Sequence, residues 1–280
     1  MTGAGGFIGR HLGRALEQRG ASPVAMPREV DGAFCVREIR EADVVVHLAF
    51  PTSAAARRAE PLATFQGVVR DALEVVRLSA TLGARHIVLA STGKVFGASA
   101  AIPTRDGDPP RPTTELGRLK LAAEEVVRAG AAAVGAQVTV LRIFNAFGPG
   151  QSAGFFFPTL LAGLAAGRLE LGELDHARDW VHVTDVASAL AIAVEHPPEG
   201  PTRALNVATG RATTVRDILR QLTALGHAVP EVEEVRSERR GNEAAIERGE
   251  AMGLRELGWR AETSLEQGIV ELLGQGTGAR

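Results

Sequence analysis

The sequence of 280 residues contains no tyrosine and a single cysteine, Cys35. One cysteine cannot form a disulfide within the chain, so we expect a reducing, cytoplasmic location. No apolar run approaches the ~18 residues of a membrane span, and the N-terminus lacks the basic and apolar segments of a signal peptide. A net charge of −2 argues against a nucleic-acid surface. The histidines do not cluster, so no metal site is expected. These absences favour a protein that binds a small molecule, with no nucleic acid and no membrane as partner.

Short apolar runs alternate with longer segments of helical periodicity along the chain. The runs are aliphatic and uninterrupted by polar residues, which is typical of strands buried on both faces of a parallel sheet. They lie at 24–26, 44–48, 86–89, 138–143 and 204–207, and the helical segments lie at 8–19, 61–82, 114–134, 157–166, 183–195 and 215–225. The alternation predicts an α/β fold with a Rossmann-like, doubly wound parallel sheet.

The alternation weakens after residue 150, and the predicted loops lengthen. We therefore expect a dinucleotide-binding domain at 1–150 and a smaller C-terminal substrate-binding lobe at 151–280, with segments at about 178–210 returning to the Rossmann core. Ligands of such folds bind at the carboxyl ends of the strands, which is where the lobe is expected to sit.

A glycine-rich loop with the sequence TGAGGFIG occupies residues 2–9. Gly3 permits a tight turn, Gly6 lets the backbone approach a pyrophosphate, and Gly9 allows close packing of the following helix. The N-terminus of that helix supplies free N–H donors and partial positive charge. The loop predicts a dinucleotide site, although a three-glycine loop alone is also compatible with a structural turn.

Only Met1 precedes this loop, whereas such a loop follows a buried strand. Either the numbering omits an upstream strand or the sheet lacks its central strand. The second alternative would leave a hole in the core, so we favour the first.

Arg28 follows the second predicted strand, at the position where an acidic residue binds a ribose 2′-hydroxyl and an arginine suits a 2′-phosphate. Arg28, with Arg10 in support, therefore favours NADP(H) over NAD(H). The alternative is that Arg28 is a solvated loop residue.

Several motifs occur in a recognisable order along the whole chain. They are the loop at 2–9, VHLA at 46–49, LRIFNAFGPG at 141–150, RDWVHVTDVA at 178–187 and LGW at 257–259. Together they resemble the extended short-chain dehydrogenase/reductase family, in its epimerase/dehydratase branch. The resemblance implies an NAD(P)-dependent oxidoreductase with a Rossmann domain and a C-terminal substrate lobe.

Family members use a Ser or Thr together with a Tyr four residues before a Lys, and the resemblance places these roles on the chain. Thr92 stands at the hydroxyl position and Lys120 at the lysine position, whereas Leu116 stands where the tyrosine belongs. Leucine cannot exchange a proton. Gly93 and Lys94 replace the acidic pair of the family's sugar dehydratases, which rules out dehydration by that route. Lys94 faces the active site by this resemblance, the alternative being a surface lysine at a strand end.

The resemblance and the motifs yield a set of candidate site residues. Candidate catalytic residues are Thr92, Lys94 and Lys120. Candidate cofactor contacts are Gly3, Gly6, Phe7, Ile8, Arg28, Leu48, Ala49, Ala90, Lys120 and Phe144. Candidate substrate contacts are Thr92, Leu116, Asn145, Phe155 and Arg178, and Arg239 and Arg240 match positions that contact the diphosphate of nucleotide-sugar members. Arg178 and Asp179 are equally compatible with a framework role. We expect His47 and His182 to be satisfied core or rim residues.

Three functional hypotheses follow from a cofactor site without the tyrosine. The first is an NADPH-dependent ketoreductase for an activated carbonyl of an aromatic polyketide, since tyrosine-lacking ketoreductases of antibiotic pathways resemble the chain and such a substrate can supply its own proton. Phe155–Phe157 and Trp180 would line its site, or else pack in the core. The second is a nucleotide-sugar 4-ketoreductase or epimerase with Lys94 or Thr92 as the acid. The third is a catalytically inactive NADP(H) sensor.

The oligomeric state follows only from the resemblance. Family members commonly form homodimers through the helices that match 61–82 and 114–134. Arg70, Arg77, Glu124, Glu125 and Arg128 would make such an interface polar here, so a monomer is equally compatible with the sequence.

Overall fold

A four-stranded parallel sheet lies at the centre of the computed structural model, which describes residues 1–28, 34–35, 39–51, 57, 59–98, 102–235 and 244–276. Its strands run in the order β1-β2-β3-β7, where β1 is Val44–His47, β2 is His86–Thr92, β3 is Gln137–Ile143 and β7 is Thr202–Val207. Thr2 pairs in parallel with both His47 and Met26, so residues 1–3 lie beside β1. The predicted parallel α/β sheet is confirmed. The run predicted at 24–26 contributes an isolated bridge at Met26 in place of a strand.

Helices cover both faces of this sheet, because successive residues of each buried strand point to opposite sides. Helices α2 (Pro61–Leu82) and α3 (Glu115–Val134) pack with Val45, Ile87 and Val140. Helices α1 (Phe7–Gln18) and α5 (Val183–Glu195) pack on the other face with Val46, Val88 and Leu141. Both faces are therefore apolar, as the uninterrupted runs predict.

The predicted helix bounds agree with the structure to within one residue, because local signals end the helices. Helices α2 and α3 stop at Gly83 and Gly135, whose φ angles of 65° and 71° suit glycine. The side chain of Thr114 accepts a hydrogen bond from Gly117 N and so begins α3.

The region after residue 143 contains more strands than the sequence indicates. A second sheet joins β4 (Asn145–Phe147), β6 (Ala177–His182) and β10 (Ile246–Glu247) in parallel, with β8 (Ala212–Thr214) antiparallel to β6. A two-stranded sheet joins β5 (Leu169–Leu171) and β9 (Val232–Glu234). The remaining helices are α4 (Phe156–Ala166), α6 (Val215–Ala224), α7 (Met252–Glu256) and α8 (Leu265–Gly276).

A third apolar cluster packs these later elements together. It contains Phe147, Phe157, Leu160, Ile218 and Ile269. Helix α5 and strand β7 belong to the first sheet's core instead. The second sheet thus lies next to the carboxyl ends of β2 and β3, which positions the site. The domain boundary at residue 150 stays a prediction.

Candidate functional site

The glycine-rich loop forms a tight turn against the backbone that follows β1. Gly3 has a φ of 68°, and a Cβ there would lie 2.8 Å from the Ala49 nitrogen. A Cβ at Gly9 would lie 2.2 Å from the Gly3 oxygen, so α1 packs directly on the loop. Helix α1 begins at Phe7 with no side-chain cap and no acidic residue in its first turn. Its N-terminal N–H groups and positive dipole end therefore fit the pyrophosphate of a dinucleotide.

Arg28 lies where a 2′-phosphate contact was predicted, but its guanidinium is already engaged. It forms a two-pronged ion pair with Asp71 of α2, with Nη1 2.9 Å from Oδ1, and it lies 4.6 Å over the Phe34 ring. Hydrogen bonding to Asp71 raises the pKa of Arg28. Arg10, predicted as its support, donates instead to the carbonyls of Gly5 and Gly150. A 2′-phosphate would therefore compete with Asp71 for Arg28.

Lys120 lies between the end of β1 and the end of β2. Its Nζ donates to the Ala90 carbonyl at 2.8 Å and lies 4.1 Å from the centre of the Phe50 ring. Burial lowers the pKa of Lys120 to about 7, opposed by the charge of Glu124. Leu48, Ala49 and Ala90 thus share one corner with Lys120, which fits the predicted ribose contact.

Thr92 and Lys94 end β2 and begin a short 3₁₀-helix, Gly93–Phe96. The Thr92 Oγ1 accepts a hydrogen bond from Lys94 N at 3.3 Å, which leaves its own hydrogen free to donate. The first turn of α3 packs against this segment, since a Cβ at Gly117 would lie 2.3 Å from the Lys94 oxygen. Leu116, half-buried beside Gly117, therefore adjoins the Lys94 backbone. The segment that contains Thr92 and Lys94 therefore lies beside the first turn of α3, which carries Leu116.

Glu247 of β10 joins three of the predicted residues. Its Oε1 is 2.6 Å from Lys94 Nζ, and its Oε2 is 3.2 Å from Asn145 Nδ2 and 3.6 Å from Arg178 Nε. The side chains of Lys94 and Glu247 are 17% and 12% exposed. Sequence reasoning missed Glu247, because a two-residue strand has no periodicity and its pairing with β6 is long-range.

The ring of Phe144 fixes the positions of the backbone segments on either side of this pair. A Cβ at Gly93 would lie 3.1 Å from the ring, and one at Gly249 would lie 2.5 Å from it. Only glycine fits in both places without displacing the ring. Lys94, next to Gly93, and Glu247, two residues before Gly249, are thereby held within bonding distance.

Arg178 and Asp179 form hydrogen bonds that connect several strands and loops. Arg178 is 8% exposed, and its Nη1 donates to the carbonyls of Ala177, Ala244 and Ala245. Asp179 accepts from Thr209 and from the nitrogens of Gly210 and Gly249, and burial raises its pKa. These contacts favour the framework alternative, so a substrate contact by Arg178 stays a proposal. Arg239 and Arg240 lie outside the described residues.

The phenylalanine run divides between the core and the surface. Phe156 stacks on Trp180 with ring centres 5.2 Å apart, and Phe157 is 2% exposed. Phe155 is 39% exposed. The apolar wall proposed for an aromatic substrate is thus mostly core packing, which leaves Phe155 as its accessible member.

The two histidines expected in the core are buried. His47 shares a hydrogen bond with Thr2 Oγ1, and burial lowers its pKa to about 3. His182 shares one with Thr184 Oγ1, and burial lowers its pKa as well. Across the described ranges, no three His, Cys, Asp or Glu side chains are grouped as metal ligands. Within the same part of the chain, no helix is long and apolar enough to cross a membrane.

Comparison with known proteins identifies the family. Residues 1–208 match the model of the NAD dependent epimerase/dehydratase family. The chain belongs to this family. It is therefore an NAD(P)-dependent enzyme of the oxidoreductase type.

Similar members of this epimerase/dehydratase family are named for nucleotide-linked sugars. GDP-6-deoxy-D-mannose reductase of Pseudomonas aeruginosa is 28% identical over 98% of this chain and 95% of its own. UDP-glucose 4-epimerase of Azospirillum brasilense is 28% identical over 96% of this chain and 89% of its own.

Solved structures of similar proteins contain either nicotinamide cofactor. MoeE5 in complex with UDP-glucose and NAD has a TM-score of 0.88 at 25% identity, covering 99% of this chain and 98% of its own. RMD from Pseudomonas aeruginosa complexed with NADPH has a TM-score of 0.81 at 26% identity, covering 97% and 96%. These neighbours share the fold and bind a nicotinamide cofactor, which is NAD in one structure and NADPH in the other.

Proposed function

We propose that the protein is an NADPH-dependent reductase of the C4 carbonyl of a nucleotide-linked sugar. The observation that carries the proposal is its full-length likeness to enzymes named for such sugars, one of them a reductase. This likeness favours the nucleotide-sugar hypothesis over the aromatic-polyketide ketoreductase. The polyketide hypothesis also loses support from the packing of Phe156 and Phe157 against Trp180.

In this proposal the loop and α1 hold the dinucleotide. Gly3, Gly6, Phe7 and Ile8 contact its pyrophosphate, and Lys120 its ribose. Leu48, Ala49, Ala90 and Phe144 border the rings, while Arg28 leaves Asp71 to bind a 2′-phosphate. A nicotinamide bound there supplies hydride, so the protein has to orient the sugar and deliver a proton.

The substrate would lie between the end of β2 and the second sheet. Thr92 is free to donate a hydrogen bond to the carbonyl oxygen, and Leu116, Asn145 and Phe155 border the sugar. Arg178 acts on the substrate mainly by holding Glu247 and the carbonyls of residues 244–245. The proton donor in place of the tyrosine is Thr92 or Lys94.

The test is NADPH and NADH consumption with a nucleoside-diphosphate 4-keto-6-deoxyhexose. The same ketosugar without the nucleotide and a conjugated aromatic ketone serve as comparison substrates. We expect turnover of the nucleotide-linked sugar only, with kcat reduced by roughly 10²-fold in Thr92→Val and unchanged in Thr159→Val, an exposed threonine of α4. Turnover of the aromatic ketone alone would restore the polyketide hypothesis. Tight NADPH binding without turnover of any ketone would favour the hypothesis of a catalytically inactive NADP(H) sensor.

A further inference from the structure

Lysine is rare in this chain, and both lysines lie at the proposed site. Of the 31 basic residues, Lys94 and Lys120 are the only lysines, and all others are arginine. Lys94 lies two residues after the end of β2, and the Nζ of Lys120 donates a hydrogen bond to the carbonyl oxygen of Ala90 within β2. Arginine stays protonated in proteins, whereas lysine can release a proton. Among the Lys and Arg residues of the chain, these two are therefore the ones whose side chains can release a proton.

The Lys94–Glu247 ion pair spans the two sheets at the place where a substrate would bind. Lys94 follows a strand of the first sheet, and Glu247 lies on β10 of the second. Both side chains keep some exposure, 17% and 12%, so a ligand can reach them. The backbone of Lys94 also adjoins Leu116, which stands where the family's tyrosine belongs. The backbone of Lys94 thus lies beside the position of the missing tyrosine, and its side chain extends to Glu247.

We infer that Lys94 gives the proton to the carbonyl oxygen of the substrate, and that Glu247 holds Lys94 in the ammonium form and so makes this site a reductase and not an epimerase. The inference rests on the proposed function. Lys94 would be a catalytic residue, and Glu247 a positioning residue that acts through it.

The step balances with the hydride of a bound NADPH. The carbonyl carbon would gain this hydride, which leaves NADP⁺, and the π electrons of the C=O bond move to oxygen. One N–H bond of Lys94 breaks and an O–H bond forms, which leaves a neutral amine and an alcohol. A water proton then restores the ammonium beside the Glu247 carboxylate. Lysine suits this step, because its unperturbed pKa of about 10.4 is close to the value of about 10 for tyrosine.

The same ion pair disfavours the reverse reaction. Oxidation of an alcohol needs a base, which for Lys94 is the neutral amine, and an adjacent carboxylate stabilises the charged form instead. An epimerase needs both protonation states in each cycle. Among the charged contacts within the described residues are Glu247, at 2.6 Å from Lys94, and Arg178, at 3.6 Å from the far oxygen of that carboxylate. Asn145, the other partner of Glu247, is neutral.

Variants of Lys94 separate proton donation from ion pairing. Lys94→Arg keeps the charge and can keep the pair, but arginine does not donate a proton at working pH. We expect kcat to fall by roughly 10²–10⁴-fold in both Lys94→Arg and Lys94→Met, with unchanged cofactor affinity. Arg168→Met, which breaks exposed contacts to Glu170 and Glu233, should leave kcat unchanged. Full activity in Lys94→Arg would overturn the inference while the proposed function stands.

Because the chain has two lysines, NMR can follow each one without measuring activity. In protein labelled with ¹³C at lysine Cε, Lys94→Arg assigns the two resonances. We expect Glu247→Gln to move the titration of the Lys94 Cε resonance to lower pH, because the ammonium loses its carboxylate partner, and to leave the Lys120 resonance unchanged. The alkaline limb of the kcat profile should move to lower pH by the same amount. An unchanged titration of Lys94 would overturn the role of Glu247, even in an inactive protein.

The direction of the reaction is tested on the wild-type enzyme. We expect net reduction of the 4-ketosugar and no C4 epimerisation of UDP-glucose in the presence of NAD⁺. Glu247→Gln should gain alcohol oxidation near pH 9 relative to wild type, since its lysine is neutral at lower pH. Efficient epimerisation by the wild type would contradict the inference. If the wild type reduced no nucleotide-linked ketosugar, the proposed function would be contradicted instead. The NMR titration would still show whether Glu247 controls the protonation of Lys94.

Discussion

Two carboxylates with cationic partners, Glu124 and Glu247, differ in their access to solvent. Glu124 is fully buried and accepts from Ser91 Oγ at 2.5 Å and from Arg142 Nη2 at 2.9 Å. Glu247 is 12% exposed and contacts Lys94, Asn145 and Arg178. In the sealed cluster the cation that bonds to Glu124 at 2.9 Å is an arginine, which keeps its charge, whereas in the accessible cluster the cation at 2.6 Å from Glu247 is a lysine, which can change it. Similar ion pairs thus occur in a fully buried and in an accessible setting, and only the accessible one can contact a ligand.

Breaking the sealed cluster should produce the largest effect on stability. In Glu124→Gln the guanidinium of Arg142 stays buried without its counter-charge, and we expect a loss of about 3–5 kcal/mol in the free energy of unfolding. Urea denaturation measures it. Glu247→Gln should cost about 1 kcal/mol or less, since Lys94 can reach water. Equal losses in the two variants would contradict the comparison.

Lys120 lies one helical turn before Glu124, and its burial should make the free energy of unfolding depend on pH. Its pKa of about 7 in the folded protein lies below the ordinary value of 10.5. The unfolded chain therefore binds more protons between these values, so this lysine makes stability rise with pH, by about 1.4 kcal/mol per unit between pH 7 and 9. Lys120→Met should remove this rise. If the free energies of unfolding of the variant and the wild type changed in parallel between pH 7 and 9, Lys120 would have to stay charged in the folded protein.

The accessible cluster can be disturbed without touching the sealed one. In Gly249→Ala the new Cβ would lie 2.5 Å from the Phe144 ring and 2.6 Å from Ala208 Cβ. We expect a cost of about 1–3 kcal/mol from overpacking and a drop in kcat, because β10 carries Glu247 away from Lys94. Gly107→Ala, where a Cβ meets nothing within 4 Å, is the matched control. A stability loss with unchanged kcat would argue that the pair does not act in turnover.

The smallest expected effect concerns nucleotide choice. Arg28→Ala should weaken NADPH binding by about 1–2 kcal/mol, the low end for a hydrogen bond to a charged group, because Arg28 must first leave Asp71, and it should leave NADH binding unchanged. Asp71→Asn should strengthen NADPH binding, because it frees Arg28 from its ion pair. Calorimetry with both nucleotides measures the difference. Equal losses for NADPH and NADH in Arg28→Ala would contradict the preference for NADP(H).

The two clusters also show what local sequence can predict. The cofactor half depends on glycines and helix caps that act within a few residues, so its helices and the loop at 2–9 were predictable. Lys94 and Thr92 could be proposed from the sequence, because the family resemblance assigns them their positions. Glu247 was not, because its role depends on contacts with residues 69 to 153 positions away. The same limit explains the missed short strands β4, β6 and β10.

One expectation from the sequence was wrong for a related reason. Glu124 was assigned to a polar interface, since charged helix residues are mostly exposed. Helix α3 instead turns this side chain toward β2 and β3, where Ser91 and Arg142 satisfy it. A charge can be buried when a partner from a distant strand meets it, and sequence periodicity does not report that partner.

The fate of the hydride distinguishes net reduction of the sugar from epimerisation. The protein would be supplied with NADPH carrying deuterium at both C4 positions of the nicotinamide and with a nucleoside-diphosphate 4-keto-6-deoxyhexose, and the product analysed by mass spectrometry. The account predicts one deuterium at sugar C4 and one NADP⁺ formed for each product molecule. Conversion between C4 epimers without deuterium incorporation or NADPH consumption would contradict it.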